Sequence, residues 1–352
     1  MKTILLLFGG RSNEYEVSLR SAYSVINNIP SDKYTIETVG ITKEGKWLLY
    51  CGGRDKIPSG KWIRGECYSA SLSADFGSKQ LLVFDSRGGL LRKIHIDVCF
   101  PVLHGKNGED GTLQGMLEIA GIPYVGCGTL SSAMCMDKEI TNLIADHFRF
   151  PQAKWLSITK SDYEKKKEKF IAKCVSYLGL PLFIKPANAG SSVGISKVKS
   201  EDEMEIALET AFKEDSKIVA EECIVGREIE CSVLGNEDPF VSVPGEIRPL
   251  AEFYDYKAKY VDEDTELCIP ADLPPETVKT VRKLALKAFK VLGCKGLARV
   301  DFFLRSSDNK VLFNEINTLP GFTSISMFAM LLEESGISYG ETVEKLIELA
   351  GE

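Results

Sequence analysis

Histidine is scarce in this chain, with three in 352 residues, and its ten cysteines are scattered. None of the cysteines forms a C-x-x-C pair or a Cys/His cluster with zinc-ligand spacing. These shortages argue against a zinc site and a disulfide framework, and free thiols in a reducing cytoplasm are the expectation. Long apolar runs are missing as well. Ile4–Phe8 is only five residues long before Gly9-Gly10, too short for the apolar part of a signal peptide. No run approaches the ~20 residues of a membrane span. The chain also lacks a basic block: its net charge is −7, with both signs mixed along its length. That argues against nucleic acid or an anionic membrane as partner, although a few local lysines could still hold a nucleotide's phosphates. What remains is 44% hydrophobic and 26% charged, an ordinary globular composition with length for two or three domains.

Residues 3–8 read as a buried strand stopped by two glycines, and Glu16–Ile29 has helical periodicity ending at Pro30. A strand over 35–41 leads into a hairpin turn at Lys43-Glu-Gly-Lys46. The Gly/Ser/Lys-rich stretch 51–80 is expected to be irregular, and a strand near 96–100 follows. Strands alternating with helices imply an α/β domain with an open parallel sheet over 1–125. A smaller module, 126–215, holds a helix after Met136-Asp-Lys138, a charged segment at 160–173 and a strand at 182–185. The third region, 216–352, has strands near 218–221, 229–234, 299–304 and 311–316, with helices near 275–292 and 339–350, an α+β pattern.

The most informative segment is Ala298-Arg-Val-Asp301-Phe-Phe303 followed by Asn314-Glu315-Ile-Asn317. Two apolar strands joined by Ser306–Asn309 suggest a hairpin. Strand alternation puts Arg299 and Asp301 on one face and Glu315 and Asn317 on one face of the partner. If the register pairs those faces, two carboxylates and an amide oxygen converge beside a guanidinium, a hard-oxygen set suited to magnesium. The same residues could instead form a salt-bridge network. In Ile184-Lys185-Pro-Ala-Asn-Ala-Gly190-Ser191-Ser192-Val-Gly194, a strand ends in a lysine and opens a small-residue loop that could admit phosphate oxygens to backbone N–H groups. It fits neither the nucleotide phosphate-loop motif nor the dinucleotide glycine motif, and a plain hairpin turn stays open.

Gly9-Gly10-Arg-Ser-Asn-Glu14 follows the first strand, where open α/β sheets bind ligands. Glu14 could meet an amino group there, or simply complement a helix dipole. Tyr254-Asp-Tyr-Lys-Ala-Lys259-Tyr260 could be a mobile lid or an exposed loop. Asn317-Thr-Leu-Pro-Gly321-Phe-Thr-Ser-Ile-Ser326 could present the Gly321 N–H to a developing oxyanion. A dinucleotide-binding oxidoreductase is the competing reading of the opening strand, but Gly9-Gly10 lacks the third glycine in register.

Together with Leu103-His104-Gly105 and Gly108-Glu-Asp-Gly-Thr-Leu-Gln-Gly115, these segments, in this order, resemble the D-alanine–D-alanine ligases of the ATP-grasp superfamily. The resemblance runs over nearly the whole chain. It implies an ATP-grasp fold behind an N-terminal open-sheet domain, and a two-step reaction. ATP phosphorylates one D-alanine carboxylate, and the amine of a second attacks the acyl phosphate. It implies two magnesium ions (manganese being possible) on Asp301, Glu315 and Asn317. It implies Lys138, Lys185 and Lys259 on the nucleotide, Glu221 and Glu228 on adenine and ribose, and Ile224 and Phe303 around the ring. Glu14 would hold the first substrate's ammonium, with Ser191 and Tyr260 hydrogen-bonded to it. Arg299 and the Gly321 N–H would stabilise the tetrahedral intermediate. Ser326 joins the catalytic set, and His104 and Met327 the substrate-binding residues.

Family members that make D-alanyl-D-lactate resemble one another in a lid histidine where this chain has Tyr260. Those using D-serine are expected to carry a polar or basic residue at Met327. Glu14–Ser18 and Gly40-Ile-Thr42 nevertheless look like the D-serine branch, so D-serine stays open beside D-alanine. The resemblance further suggests a homodimer. A non-catalytic ATP-binding regulator remains the reading of another class.

Overall fold

The structure, a computed structural model, describes residues 1–248 and 266–352. Chain order opens with β1 (Lys2–Gly9), α1 (Tyr15–Asn28), β2 (Tyr34–Ile41), β3 (Trp47–Tyr50), β4 (Cys67–Leu72), β5 (Gln80–Phe84), β6 (Leu90–His95), β7 (Val98–Val102) and α2 (Thr112–Ala120). The seven strands form one sheet in the order β6-β5-β4-β3-β2-β1-β7. Only β2 and β7 run parallel to β1, and the rest is an antiparallel meander, so the sheet is mixed rather than parallel throughout. Ile4 to Phe8 are all fully buried, as a central strand covered on both faces requires. Gly9 ends that strand at φ +87°, and a Cβ there would meet the Ile41 carbonyl oxygen at 2.3 Å. Only glycine lets the chain turn here and carry Glu14 across the carboxyl edge of the sheet.

The stretch expected to be irregular is so over most of its length, but it also carries a strand. It contains two short 3₁₀ turns and β4, where Ala70 and Leu72 point inward and Ser69 and Ser71 outward. Fully buried Trp62 pins it, its ring 5.0 Å from that of Phe8 and its indole N–H donating to the Tyr15 hydroxyl at 3.1 Å. Glycine and serine composition concealed one anchoring aromatic.

The second layer comprises α3 (Thr129–Met136), α4 (Lys138–His147), β8 (Trp155–Thr159), α5 (Lys160–Leu178), β9 (Leu182–Pro186), β10 (Ser196–Val198), α6 (Met204–Glu214) and β11 (Lys217–Glu222). Its sheet has the order β10-β9-β11-β8, so the strand near 218–221, grouped by sequence with the third region, hydrogen-bonds here. The third layer has β12 (Gly226–Gly235), β13 (Phe240–Arg248), β14 (Glu266–Cys268), α7 (Pro275–Val291), β15 (Gly296–Arg305), β16 (Val311–Asn317), α8 (Met327–Glu334) and α9 (Tyr339–Leu349). Its sheet order is β14-β13-β12-β15-β16. Alternation sorts its faces. Ile229, Cys231, Val233, Ala298, Val300, Phe302 and Leu304 pack with the apolar side of α7, including Ala285 and Phe289. The opposite face is left to the intervening residues Glu228, Glu230, Arg299, Asp301 and Phe303.

Candidate active site

Three carboxylates stand in a row across that face. Glu230 on β12 pairs in register with Asp301 on β15, which pairs with Glu315 on β16. The second pairing depends on a bulge: Phe302 faces Phe313, yet Asp301 faces Glu315, so Asn314 is the extra residue. Without it Asp301 would oppose Asn314, and Glu315 would lie opposite core residue Val300. Arg299 threads the row. Its Nε and terminal nitrogen donate to the two Asp301 oxygens at 2.8 and 2.7 Å, and Nε is 2.9 Å from Glu230 Oε2. Burial disfavours the charged guanidinium, but Asp301, Glu230 and Glu315 more than compensate and hold it firmly ionised. Asn317 donates from Nδ2 to Asp301 at 3.0 Å, so a metal-binding role would use its Oδ1. Glu230, Asp301 and Glu315 edge a small cleft with Glu228, Phe303 and Asn314.

The oxygen donors suit a hard divalent cation by chemistry. Among the described residues, however, no three His, Cys, Asp or Glu side chains gather closely enough to cage an ion alone. A cation on Asp301 would also compete with Arg299, which has Glu230 to fall back on.

Residues of the second layer stand close to this row, with Lys185 in electrostatic reach of Glu315 and Glu228. Lys185 at the end of β9 and Glu221 on β11 form a 2.5 Å ion pair, and Asn142 donates to the other Glu221 oxygen at 3.2 Å. Burial works against the Lys185 charge, but Glu221, aided by Glu315 and Glu228, outweighs it and raises the pKa. Lys138, at the first turn of α4, donates from Nζ to the Ala189 carbonyl at 2.7 Å. Ile224 sits half-buried in the connector from β11 to β12, and Phe303 is paired in register with Glu228.

Glu14 lies nearly buried where the first sheet meets the small-residue loop. Ser191 donates to its Oε1 at 2.5 Å. Gly105 and Gly190 crowd the other oxygen: Cβ atoms on them would approach Oε2 to 2.3 and 3.0 Å. Buried His104 touches the Leu319 carbonyl through Nδ1 at 3.0 Å and Ser21 Oγ through Nε2 at 3.1 Å. A carbonyl only accepts, so Nδ1 carries the proton and Ser21 donates to Nε2. Burial lowers the His104 pKa against the opposing pull of Glu14, which keeps the ring neutral. Ser21 in turn accepts the Phe322 N–H at 3.2 Å, tying this loop to the Pro320-Gly321 turn.

Glu109 lies within the Gly108–Gly115 motif, where spacing assigns it no role. Its carboxylate accepts the Gly105 N–H at 2.8 Å, and burial together with Glu14 pushes its pKa well above the usual carboxylate range. Nothing in its spacing signals that environment, which forms only when Glu14 arrives from another loop.

Ser326 occupies the N-cap position of α8 without a side-chain capping bond, and its hydroxyl accepts the Thr323 N–H at 3.0 Å, its oxygen 3.4 Å from where a Gly321 Cβ would lie. Met327 is 6% exposed and packs with Ile247 and Leu331, so its side chain is part of an apolar cluster. Lys259 and Tyr260, with the rest of the 254–260 segment, lie outside the described residues.

The family model described as the D-ala D-ala ligase N-terminus matches residues 3–127, and that of the C-terminus matches residues 144–348. The chain belongs to the D-alanine–D-alanine ligase family. A D-alanine–D-alanine ligase of Acetivibrio thermocellus is 50% identical over 359 aligned residues, spanning 99% of this chain and 96% of the relative. One from Caldicellulosiruptor bescii is also 50% identical, over 99% and 94%. Among solved structures, the VanG D-Ala:D-Ser ligase from Enterococcus faecalis superposes with a TM-score of 0.90 at 40% identity, over 99% of both chains. The D-alanine–D-alanine ligase from Coxiella burnetii gives 0.84 at 35%, over 99% of this chain and 93% of that one. These matches carry the ATP-grasp fold and ATP-dependent ligase chemistry of the family, and leave the oxidoreductase reading without support.

Proposed function

We propose that this protein joins two D-alanines into D-alanyl-D-alanine at the expense of ATP, through a D-alanyl phosphate. The observation that supports it most is the carboxylate row threaded by Arg299, beside Lys185 and within one fold of the Glu14–Ser191 contact. Phosphoryl transfer asks chiefly for positioning and charge neutralisation. In this reading Glu14 binds the ammonium of the first D-alanine and aims its carboxylate at the nucleotide. Lys138, Lys185 and Lys259 steady the phosphates; Glu221, Glu228, Ile224 and Phe303 hold the nucleoside. Magnesium, as two ions or with manganese in their place, would be held by Asp301, Glu315 and Asn317 and would neutralise charge on the transferring phosphoryl group. Arg299 and the Gly321 N–H then stabilise the oxyanion formed when the second amine attacks. Ser191 and Tyr260 orient Glu14, and closure of the 254–260 segment would exclude water from the acyl phosphate.

His104, neutral and fixed between α1 and the loop after β16, shapes the second-substrate side with Ser326, and Met327 backs that wall. The same reading has the protein working in the cytoplasm as a homodimer, supplying dipeptide for peptidoglycan precursors. Its three parts would be 1–125, 126–215 and 216–352, and the place of β11 in the second sheet argues for moving the latter boundary to about 222.

The test is phosphate release from ATP with D-alanine alone, D-serine alone, and both together. The expected result is release with D-alanine alone and D-alanyl-D-alanine as the main product. Silence with every D-amino acid pair would sink the ligase reading, and a predominance of D-alanyl-D-serine would overturn the substrate choice.

A further inference from the structure

Asp137 has no place in the site described so far, yet three elements meet on it. Its Oδ1 caps α4, accepting the Ile140 N–H at 3.2 Å. Its Oδ2 takes Lys217 of β11 at 2.7 Å and the Asn188 side-chain amide at 3.2 Å. Lys217 is also 2.6 Å from Glu139 in the first turn of the same helix. Asn188 is the fourth residue of the Lys185–Gly194 segment, and its backbone N–H is held by Asp215 at 2.8 Å. On either side of it, Ala187 accepts the Lys138 N–H at 3.0 Å and Ala189 accepts Lys138 Nζ at 2.7 Å.

The stem of the loop is therefore stapled to the helix that carries Lys138. Three residues on, Ser191 and Ser192 adopt left-handed φ of +51° and +58°, which L-residues hold only when their surroundings impose it. That bent tip is what brings Ser191 to within 2.5 Å of Glu14. A stem free to shift would relax the tip and lose both the serine contact and the placement of Lys138.

We infer that Asp137 is a positioning residue, locking the loop stem to α4 and β11 so that Lys138 and Ser191 face the same nucleotide and substrate. The inference rests on the ligase reading for its functional half, and its structural half can be measured without turnover. The informative variant is Asp137→Ser. Serine is as good an N-cap as aspartate, so helix capping survives while the reach to Lys217 and Asn188 is lost.

The expected result is a Tm within about 3 °C of the parent, with amide exchange over residues 188–193 faster by about tenfold, as loss of a bridging contact allows. The KM for ATP, and the Kd for a non-hydrolysable ATP analogue with magnesium, should rise about tenfold while kcat changes less than about threefold. Asp137→Asn, which keeps the shape but not the charge facing Lys217, should fall between. Loop exchange equal to the parent's would overturn the positioning role. Faster exchange with unchanged KM and Kd would overturn its link to the nucleotide. If the parent released no phosphate from ATP and D-alanine, the ligase reading would fall, and the exchange measurement would still decide the role of Asp137 in holding the loop.

Discussion

Arg299→Ala and Asp301→Ala are each expected to lower turnover at least ~100-fold, the usual consequence of removing a charge aimed at a transition state. The two variants should differ in how they fail. Asp301→Ala removes a proposed magnesium ligand together with the partner of Arg299, so the magnesium concentration needed for half-maximal phosphate release should rise. Arg299→Ala leaves Glu230 and Asp301 facing each other nearly buried, without the guanidinium 2.7 to 2.9 Å away. Some of its loss could therefore be unfolding, because removing one member of a buried charge group is costly. Arg299→Lys separates the two effects. It keeps a positive charge but cannot make the forked contact with Asp301, so stability should recover more than turnover does. Near-normal turnover in Arg299→Ala or Asp301→Ala, assayed at saturating ATP and D-alanine, would show the reaction centre to lie elsewhere.

Why this centre was legible in the sequence follows from period two. Arg299 and Asp301 are separated by one apolar residue inside an otherwise apolar strand, as are Glu315 and Asn317, so each pair must share a face whatever the register. What alternation could not supply was the register itself. That depends on the bulge at Asn314, where one extra residue decides whether Glu315 meets Asp301 or is set opposite core residue Val300. Glu230 was missed for a related reason: its strand lies far off in sequence, and only the β12–β15 pairing sets it against Asp301.

The N-terminal sheet shows the other limit. Its core strand was plain from five consecutive apolar residues, but the segment over 51–80 hides its anchor in Trp62, a contact with Phe8 and Tyr15 across many intervening positions. Composition measures the average of a segment, whereas one fully buried indole can fix its path. Met327 illustrates the reverse. Its type and its place after Ser326 carry the substrate-side reading, whereas its packing with Ile247 and Leu331 depends on contacts between elements far apart in sequence.

The second large effect is expected at Glu14. Glu14→Gln keeps the size of the side chain and an oxygen for the Ser191 hydroxyl, but removes the negative charge offered to an ammonium group. Breaking one partner of a desolvated charge pair costs about 2–5 kcal/mol, so KM for the first D-alanine should rise about 30-fold or more. ATP binding should change little, because the nucleotide contacts proposed here lie on the other two layers. The substitution has a second consequence. Glu14 is one of the causes that raise the Glu109 pKa and oppose the lowering of that of His104. Without the Glu14 charge, both values should move down, so Glu109 ionises at lower pH and His104 is held neutral more firmly. Steady-state kinetics at varied D-alanine, with ATP saturating, give the first readout, and carboxyl NMR of Glu109 gives the second. A D-alanine KM unchanged from the parent, with Ser191→Ala equally silent, would mean that the substrate ammonium is held elsewhere. The Glu14–Ser191 bond would then be only a contact between two layers.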